Sequence, residues 1–349
     1  MTKNTMTALL TAAICAVGVG TAEARDMTVT TWGGATEDEK KRIFFNPFSE
    51  ETGIPHQTDV YAGGWAPFKA MQDTGIVPWD VVHVETAEMD RGCEEGVFAQ
   101  IDWDKIGGKD QFIPAAVAEC GVGTIIWSMV IAYDGSDMSE KPTEANDFWD
   151  LETWPGKRGM RQGPKVNLEF ALMADGVEPE DVYDVLSTPE GVDRAFAKLD
   201  EIKPEVLWWK TGAQAPEWLV SGDVEMTMAY NGRVAVAMEE GRGLEILWDN
   251  TQYAVDYWII PEGSPYVDEA HQFIKFISDP KRQAEYSNTF AYGPTLKAAD
   301  QYIDDSQRAV LPSGANIETG LHIGGDEARV FWADNLQTLT ERWNAWVLQ

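Results

Sequence analysis

Short runs rich in β-branched residues alternate along the chain with longer segments whose apolar positions repeat at helical spacing. Strands are predicted at 27–32, 79–84, 123–133, 224–230 and 253–260. Helices are predicted at 37–52, 86–97, 189–199, 215–221, 233–239, 271–277, 281–289 and 327–347. This alternation indicates an α/β fold with mostly parallel sheets, and 349 residues are enough for two or three domains of about 150 residues each.

The first 24 residues have the pattern of a secretory signal peptide. A positive charge at Lys3 precedes an uncharged run over 8–22, which ends in the A-x-A cleavage pattern Ala22-Glu23-Ala24. Cys15 lies inside this run after Ile14, where a lipoprotein signal would carry a small residue. We therefore expect cleavage between Ala24 and Arg25 and a periplasmic protein. No later stretch approaches roughly 18 uncharged apolar residues, so no membrane span is predicted.

Two further cysteines, Cys93 and Cys120, lie 27 positions apart in the part of the chain that would be exported. An even number of cysteines in an oxidising compartment favours a disulfide bond. The alternative is two buried, unpaired thiols.

The chain is strongly acidic and rich in aromatic residues. It has 58 Asp and Glu against 27 Lys and Arg, a formal net charge of −31, and 11% aromatic residues. Such a charge repels phosphate backbones, and the sequence shows no basic patch, so a nucleic-acid partner is excluded. Most of the acidic excess is expected at the surface, which means that function must be argued from particular carboxylates.

The sequence lacks the usual signatures of catalysis. Its four histidines stand singly, so no metal site is predicted, and it has neither a nucleophile elbow nor a phosphate-binding loop. Gly121-Val122-Gly123 lacks the third glycine of a dinucleotide-binding turn. We predict a protein that is not an enzyme and has no cofactor. The alternative is a secreted glycoside hydrolase, which would use a pair of carboxylates.

Two charged residues stand where ligands bind in α/β proteins. Asp256 lies within the apolar and aromatic run 253–260, so its carboxylate needs a positive or donating partner, either a ligand ammonium or an internal group. Arg233 follows a strand end at Tyr230-Asn231-Gly232 and could hold a ligand carboxylate or form a structural ion pair.

Other strand-end residues complete the candidate site. Trp32 ends the first strand before Gly33-Gly34, and Glu85-Thr86 follow the second. Trp127, Trp209 and Trp258 also lie at or near strand ends, with core packing as the alternative for each tryptophan. The predicted ligand-binding residues are Trp32, Glu85, Thr86, Trp127, Trp209, Tyr230, Arg233, Asp256, Trp258 and Tyr292.

Several short motifs occur in a characteristic order over nearly the whole exported chain. They are Trp32 after the first strand, Trp79-Asp80-Val81-Val82 leading to Glu85-Thr86, Phe148-Trp149-Asp150-Leu151 followed by Gly156-Lys157, Gly222-Asp223-Val224 leading to Tyr230-Asn231-Gly232, the Asp256 strand ending at Ile260-Pro261, and Tyr292-Gly293-Pro294-Thr295. In this order the chain resembles the periplasmic solute-binding proteins of ABC importers, specifically the polyamine (spermidine/putrescine)-binding type.

The resemblance implies a type II periplasmic-binding-protein fold, in which two α/β lobes joined by crossing strands close over a ligand. We expect one lobe at 25–131 plus 258–305 and the other at 132–257 plus 306–349. It also implies a monomer that binds a small amine-containing molecule and docks on a membrane-embedded permease. An extracytoplasmic sensor of the same fold is the other alternative.

The resemblance also assigns roles to particular residues. Trp32 matches an aromatic wall, Asp256 the carboxylate that holds a ligand ammonium, Tyr230 a ring on the alkyl chain and Tyr292 a tyrosine of the cleft. Glu85 matches a small hydroxyl residue, and the second acid of polyamine binders has Asn167 or Glu169 as its nearest match.

Arg233 departs from the polyamine-binding pattern, which has a small residue there. A positive charge repels a polyamine but suits a zwitterion, and members similar in the Asn-Gly-Arg region bind γ-aminobutyrate or related ω-amino acids. Glu85 acts in the opposite direction, because a second acid favours a diamine. The sequence therefore leaves two ligand classes open, polyamines and ω-amino acids.

Overall fold

A computed structural model describes residues 25–136 and 138–349. The predicted signal peptide at 1–24, with Cys15, lies outside these residues. The strands, in chain order, are β1 (Met27–Thr31), β2 (His56–Val60), β3 (Val81–Val84), β4 (Gly121–Asp134), β5 (Arg158–Arg161), β6 (Val206–Trp209), β7 (Met226–Tyr230), β8 (Leu244–Ile259), β9 (Gly293–Pro294) and β10 (Leu321–His322).

Helices surround these strands. The α-helices are α1 (Gly34–Lys40), α2 (Asn46–Thr52), α3 (Ala66–Thr74), α4 (Thr86–Glu94), α5 (Trp103–Ile106), α6 (Asn167–Ala174), α7 (Val182–Leu186), α8 (Pro189–Asp200), α9 (Gln214–Ser221), α10 (Asn231–Glu239), α11 (Val267–Ile277), α12 (Pro280–Thr289), α13 (Asp305–Arg308) and α14 (Asp326–Val347). A π-helical turn at Lys41–Phe45 joins α1 to α2. Within the described residues, no helix combines the length and the apolar composition that a membrane span needs.

The predicted strands correspond to β1, β3, β4, β7 and the last part of β8. The sequence pattern missed β2, β5, β6 and the first part of β8. In β2 (HQTDV) the residues are polar and mostly exposed, and in the first part of β8 six consecutive positions are half-buried. Neither stretch shows the apolar alternation that identifies a strand.

The strands form a mixed sheet in the order β2-β1-β3-β8-β4-β7-β5-β6. The two outer groups, β2-β1-β3 and β7-β5-β6, are parallel, while β3-β8-β4-β7 in the middle are antiparallel. Helices cover the parallel parts, as parallel sheets require. The predicted α/β class is confirmed, and its antiparallel centre comes from the long strands β4 and β8.

Two hydrophobic cores lie on either side of this centre. The first core is built by β1, β3, α2, α3, α11 and α12, and the second core by β5, β6, β7, α6 to α10 and α14. In β4, Ile126 belongs to the first core and Met129 to the second, and in β8 Leu244 belongs to the second core and Val255 to the first. Both strands thus pass from one core to the other. The lobe boundaries given above stay a prediction.

Arg158 explains one of the sequence motifs. Its guanidinium is fully buried and donates to the carbonyl oxygens of Phe148, Asp150, Trp154 and Gly156 at 2.7–3.1 Å. These carbonyl oxygens satisfy the donors of the guanidinium, and within the described residues no carboxylate pairs with its charge. The motif around 148–156 therefore maintains the second core.

The predicted disulfide is confirmed: Cys93 in α4 is bonded to Cys120, immediately before β4, with Cα atoms 5.5 Å apart. The bond closes a loop whose ends are separated by 27 positions. It fixes α4 against the edge of the first core.

The loop length gives a prediction for the stability of the first core. In the chain-entropy model, replacing Cys93 and Cys120 together by serine lowers the free energy of unfolding by roughly 3 to 4 kcal/mol. Urea denaturation of the wild type and the double variant measures this. The wild type in reductant serves as the control, because it should lose about the same amount. An unchanged midpoint in both cases would contradict the prediction.

Candidate functional site

A cavity of about 790 Å³ lies between the two cores. Trp32, Tyr286 and Tyr292 line it from the first core, and Tyr230 and Trp332 from the second. Its position follows from the fold, because the ends of several strands meet where β4 and β8 pass between the cores.

Most of the predicted binding residues converge on this cavity. Those that line it are Trp32, Glu85, Thr86, Trp127, Tyr230, Arg233, Asp256 and Tyr292. Trp32 comes directly after β1, Glu85 directly after β3, and Tyr230 is the last residue of β7. The strand-end argument therefore brought together residues that are far apart in sequence. Their roles in binding stay a prediction.

Trp209 and Trp258 require a correction, because they do not line the cavity. Their side chains lie in the two cores, 1% and 2% exposed. The centroid of the Trp209 ring lies 5.9 Å from that of the Tyr230 ring, and Trp209 Nε1 donates to the carbonyl oxygen of Met228. Trp258 follows Asp256 on the same face of β8, about 7 Å further along the strand, and belongs to the first core. Both indoles support cavity residues instead of contacting a ligand.

Asp256 brings a buried carboxylate to the wall of the cavity, with the residue 6% exposed. Trp127 Nε1 donates to its Oδ1 at 3.1 Å, and His83 Nε2 lies 3.1 Å from its Oδ2 without the alignment of a hydrogen bond. Burial raises the pKa of Asp256 to about 7, although the Trp127 hydrogen bond and the charge of Lys40 act in the opposite direction. Among the described residues no arginine pairs with this carboxylate, so it remains available to a ligand.

Lys40 and His83 lie next to Asp256 and also line the cavity, and the sequence analysis missed both. Lys40 is 3% exposed and its Nζ donates to His83 Nδ1 at 2.7 Å. A signal for Lys40 was present in the sequence, since it lies four positions before Phe44 on the apolar side of the first predicted helix. His83 occupies a buried strand, where a histidine is usually a core residue.

A group of positive charges lines another part of the cavity. It consists of Arg161 at the end of β5, Lys165 in the following loop and Arg233 in α10. The ammonium of Lys165 lies 5.6 Å from the Trp332 ring, and desolvation lowers its pKa. The sequence analysis missed both Arg161 and Lys165. The strand that carries Arg161 was not predicted, and the loop that carries Lys165 has no regular pattern that indicates which way its side chains face.

Glu85 interacts electrostatically with both charged regions of the cavity. The walls of the cavity raise its pKa through loss of hydration, and the charges of Asp256 and Glu88 raise it further. Arg161 and Lys165 lower it. The side chain is nevertheless open to water in the cavity, which moderates these effects. The charge of Glu85 is thus partly balanced by two cations of the same cavity.

The two positions proposed for a second acid differ in the structure. Asn167 is buried and uses its amide to donate to the carbonyl oxygens of Arg161 and Gly163. Glu169 lines the cavity but accepts hydrogen bonds from Trp332 Nε1 at 2.7 Å and from the Tyr183 hydroxyl at 3.2 Å. Burial raises the pKa of Glu169, and its carboxyl group is already engaged by two protein donors.

Asn231 connects three segments of the chain beside the cavity. It begins α10, and its Oδ1 accepts a hydrogen bond from the Ser128 amide at 3.0 Å. Its Nδ2 donates to the carbonyl oxygens of Ala291 and Val310 at 2.6 and 3.0 Å. These bonds place Tyr230 and Arg233 beside β4.

The cavity also has aromatic walls. The Trp32 ring contacts Tyr61 at a centroid distance of 5.0 Å, Tyr230 contacts Trp127 at 5.6 Å, and Tyr292 stacks on Tyr286 at 6.4 Å. Rings held by other rings form rigid apolar surfaces suited to an alkyl chain.

Comparison with known proteins agrees with this geometry. Residues 44–311 match the family model described as bacterial extracellular solute-binding protein. The chain is 44% identical over 326 residues to the gamma-aminobutyric acid-binding protein of Pseudomonas aeruginosa, covering 93% of this chain and 92% of that one. It is 21% identical over 325 residues to the spermidine/putrescine-binding periplasmic protein of Escherichia coli, covering 89% and 91%.

The solved structure of a GABA receptor has the same fold. This receptor is 30% identical in sequence to the chain and superimposes on it with a TM-score of 0.78, covering 93% of this chain and 98% of that one. These relatives are described as binding proteins or receptors, which agrees with the expectation of binding in place of catalysis. The two-lobed periplasmic-binding-protein fold expected from the sequence is confirmed.

The raised pKa of Asp256 predicts a pH dependence of stability in the ligand-free protein. The folded state binds a proton at Asp256 that the unfolded chain, with a pKa near 3.9, loses, so this contribution to stability declines as pH rises from about 4 to about 7. The wild type should lose up to about 1.4 kcal/mol per pH unit relative to Asp256→Asn in that window. Urea denaturation of both proteins at pH 5 and pH 7 measures this, and a constant difference would contradict it.

Proposed function

The chain belongs to the bacterial extracellular solute-binding proteins, and from this premise we propose that it captures an ω-amino acid such as γ-aminobutyrate in the cavity between its cores. It then delivers this ligand to the membrane permease of an ABC importer. The proposal places the exported chain in the periplasm and includes no chemical conversion of the ligand.

One observation carries the choice of ligand: opposite charges line different parts of one cavity. Asp256 offers a carboxylate to an ammonium group, with Trp127 and Tyr292 beside it. Arg161, Lys165 and Arg233 offer cations to a carboxylate. A ligand with an ammonium at one end and a carboxylate at the other satisfies both regions.

The same charges disfavour a polyamine. A second ammonium group would face Arg161, Lys165 or Arg233, and this repulsion is costly once water is excluded. Glu85 is the acid that could offset it, but Arg161 and Lys165 already act on its charge. The relative with 44% identity, which is named for γ-aminobutyric acid, supports the same choice.

The alkyl chain of the ligand would lie between aromatic rings. Trp32 and Tyr292 belong to the first core and Tyr230 to the second, so the rings approach the ligand from both sides. We propose that β4 and β8 act as the crossing strands between a lobe at 25–131 plus 258–305 and a lobe at 132–257 plus 306–349. Closure of these lobes would bring the two charged regions to one ligand.

The proposed ligand class can be tested by thermal stability. γ-Aminobutyrate at about 100 times its dissociation constant should stabilise the protein by roughly 2.7 kcal/mol, seen as a higher melting temperature in scanning fluorimetry. Putrescine and spermidine at the same concentration should give smaller shifts. If putrescine gives the larger shift, the site is a polyamine site, and if none of the three gives a shift, the ligand class is wrong.

Arg233 provides a test of the carboxylate region. Arg233→Ser should weaken γ-aminobutyrate binding by roughly 1.5 to 3 kcal/mol, since a charge-assisted hydrogen bond is lost, and should move the preference towards putrescine. Isothermal titration calorimetry gives both dissociation constants. Arg242→Ser is a matched control, because Arg242 is exposed just beyond α10 and outside the cavity. Equal effects of the two variants would remove Arg233 from the site.

A further inference from the structure

Lys40 is a buried cation that the binding geometry described so far does not use. Its ammonium lies 5.6 Å from the Trp258 ring and 5.7 Å from the Tyr286 ring. Of the acids on its own helix, Glu37 pairs with Lys41 at 2.6 Å and Glu39 pairs with Arg42. In the part of the chain that the structure describes, Lys40 forms no ion pair with a carboxylate. A buried lysine is costly unless its charge is compensated, so the position calls for a physical reason.

His83 connects Lys40 to the binding site. A charged Lys40 can only donate to Nδ1, 2.7 Å away, and this places the proton of the neutral ring on Nε2, which lies 3.1 Å from Asp256 Oδ2. Burial lowers the pKa of His83 well below its usual value, and the charge of Lys40 lowers it further, so the ring stays neutral. The Trp258 ring, 5.1 Å away, fixes its position.

We propose that Lys40 is a positioning residue for ligand capture: through His83, its ammonium keeps the Asp256 carboxylate ionised and directed to the cavity. This rests on the proposed function, in which Asp256 holds the ammonium of the ligand.

Two opposing effects act on Asp256. Burial favours its neutral form, and the charge of Lys40 favours the carboxylate. The effect is mutual, since burial lowers the pKa of Lys40 to about 7 while Asp256 raises it. Without Lys40 only the burial effect and the Trp127 hydrogen bond remain, and Asp256 becomes protonated near neutral pH. A neutral carboxyl group attracts a ligand ammonium only weakly.

Other titratable groups face Lys40 and Asp256 from the elements packed around them. They are Glu37 on α1, His83 on β3, Glu85 after β3, Tyr286 on α12 and Tyr292 before β9. Their charged forms are anions, except for His83, which is held neutral. In this group Lys40 alone supplies a positive charge to Asp256.

The test is the pH profile of ligand affinity in Lys40→Met, which keeps the length of the side chain and removes its charge. At pH 7 about half of Asp256 is ionised in the wild type and about a tenth after a shift of one unit, so the variant should bind γ-aminobutyrate at least fivefold more weakly. The loss should shrink as pH rises to 9, because the midpoint of the profile moves up by about one pH unit or more, each unit being tenfold. Isothermal titration calorimetry from pH 6 to 9 measures this. Lys69→Met, at an exposed lysine, is the matched control.

The outcomes separate this inference from the function on which it rests. If Lys40→Met weakens binding equally at all pH values, Lys40 has only a packing role and the inference is overturned. If the wild type gives no thermal shift with any of the three amines, the proposed ligand class fails instead.

A measurement on the unmodified protein decides the matter if Lys40→Met does not fold. The Asp256 carboxyl carbon, assigned by comparison with Asp256→Asn, can be titrated by NMR in the ligand-free protein. The inference expects ionisation of Asp256 with a midpoint near pH 7. A carboxyl that is still protonated at pH 8 would show that Lys40 does not keep it ionised, and would overturn the inference.

Discussion

Asp256 carries a carboxylate into the junction of two hydrophobic cores, where its charge is unstable unless complementary groups surround it. Trp127 supplies a hydrogen bond, and His83 and Lys40 supply a neutral ring backed by a cation. This arrangement requires four elements to meet at one place: α1, β3, β4 and β8. The cost of one buried charge therefore constrains how the first core and the crossing strands pack together.

Buried polar side chains also connect other segments of the fold. Asp80 accepts hydrogen bonds from the Thr28 amide and the Ser264 hydroxyl, and Thr295 donates to the carbonyl oxygen of Gly123 at 2.7 Å. Asn231 bonds to three separate segments. All three belong to the motifs on which the family resemblance rests. These motifs therefore describe the frame of the fold more than the ligand, which is why they could not distinguish a polyamine from an amino acid.

The sequence predicted the α/β class, the main strands and eight of the residues that line the cavity, because strand ends are marked by local pattern and converge in this kind of fold. It could not predict how deeply each side chain is buried. Trp258 and Asp256 share a face of β8, and only packing shows that one lies in the core and the other at the cavity. Lys40 was missed because a charged residue in a helix is normally solvated, and its burial depends on contacts distant in sequence.

The charges of the cavity bear on specificity in a way that the net charge of −31 does not. Most acids are exposed, where water and salt screen them, whereas the cavity holds acids and bases together in a site that closure would dehydrate. A zwitterion brings equal and opposite charges, so closing over it adds no net charge to the dehydrated volume. A diamine or triamine adds two or three positive charges to a cavity that already contains Arg161, Lys165 and Arg233. If the cavity closes over its ligand as proposed, the cost of burying uncompensated charge would favour a zwitterion over a polyamine.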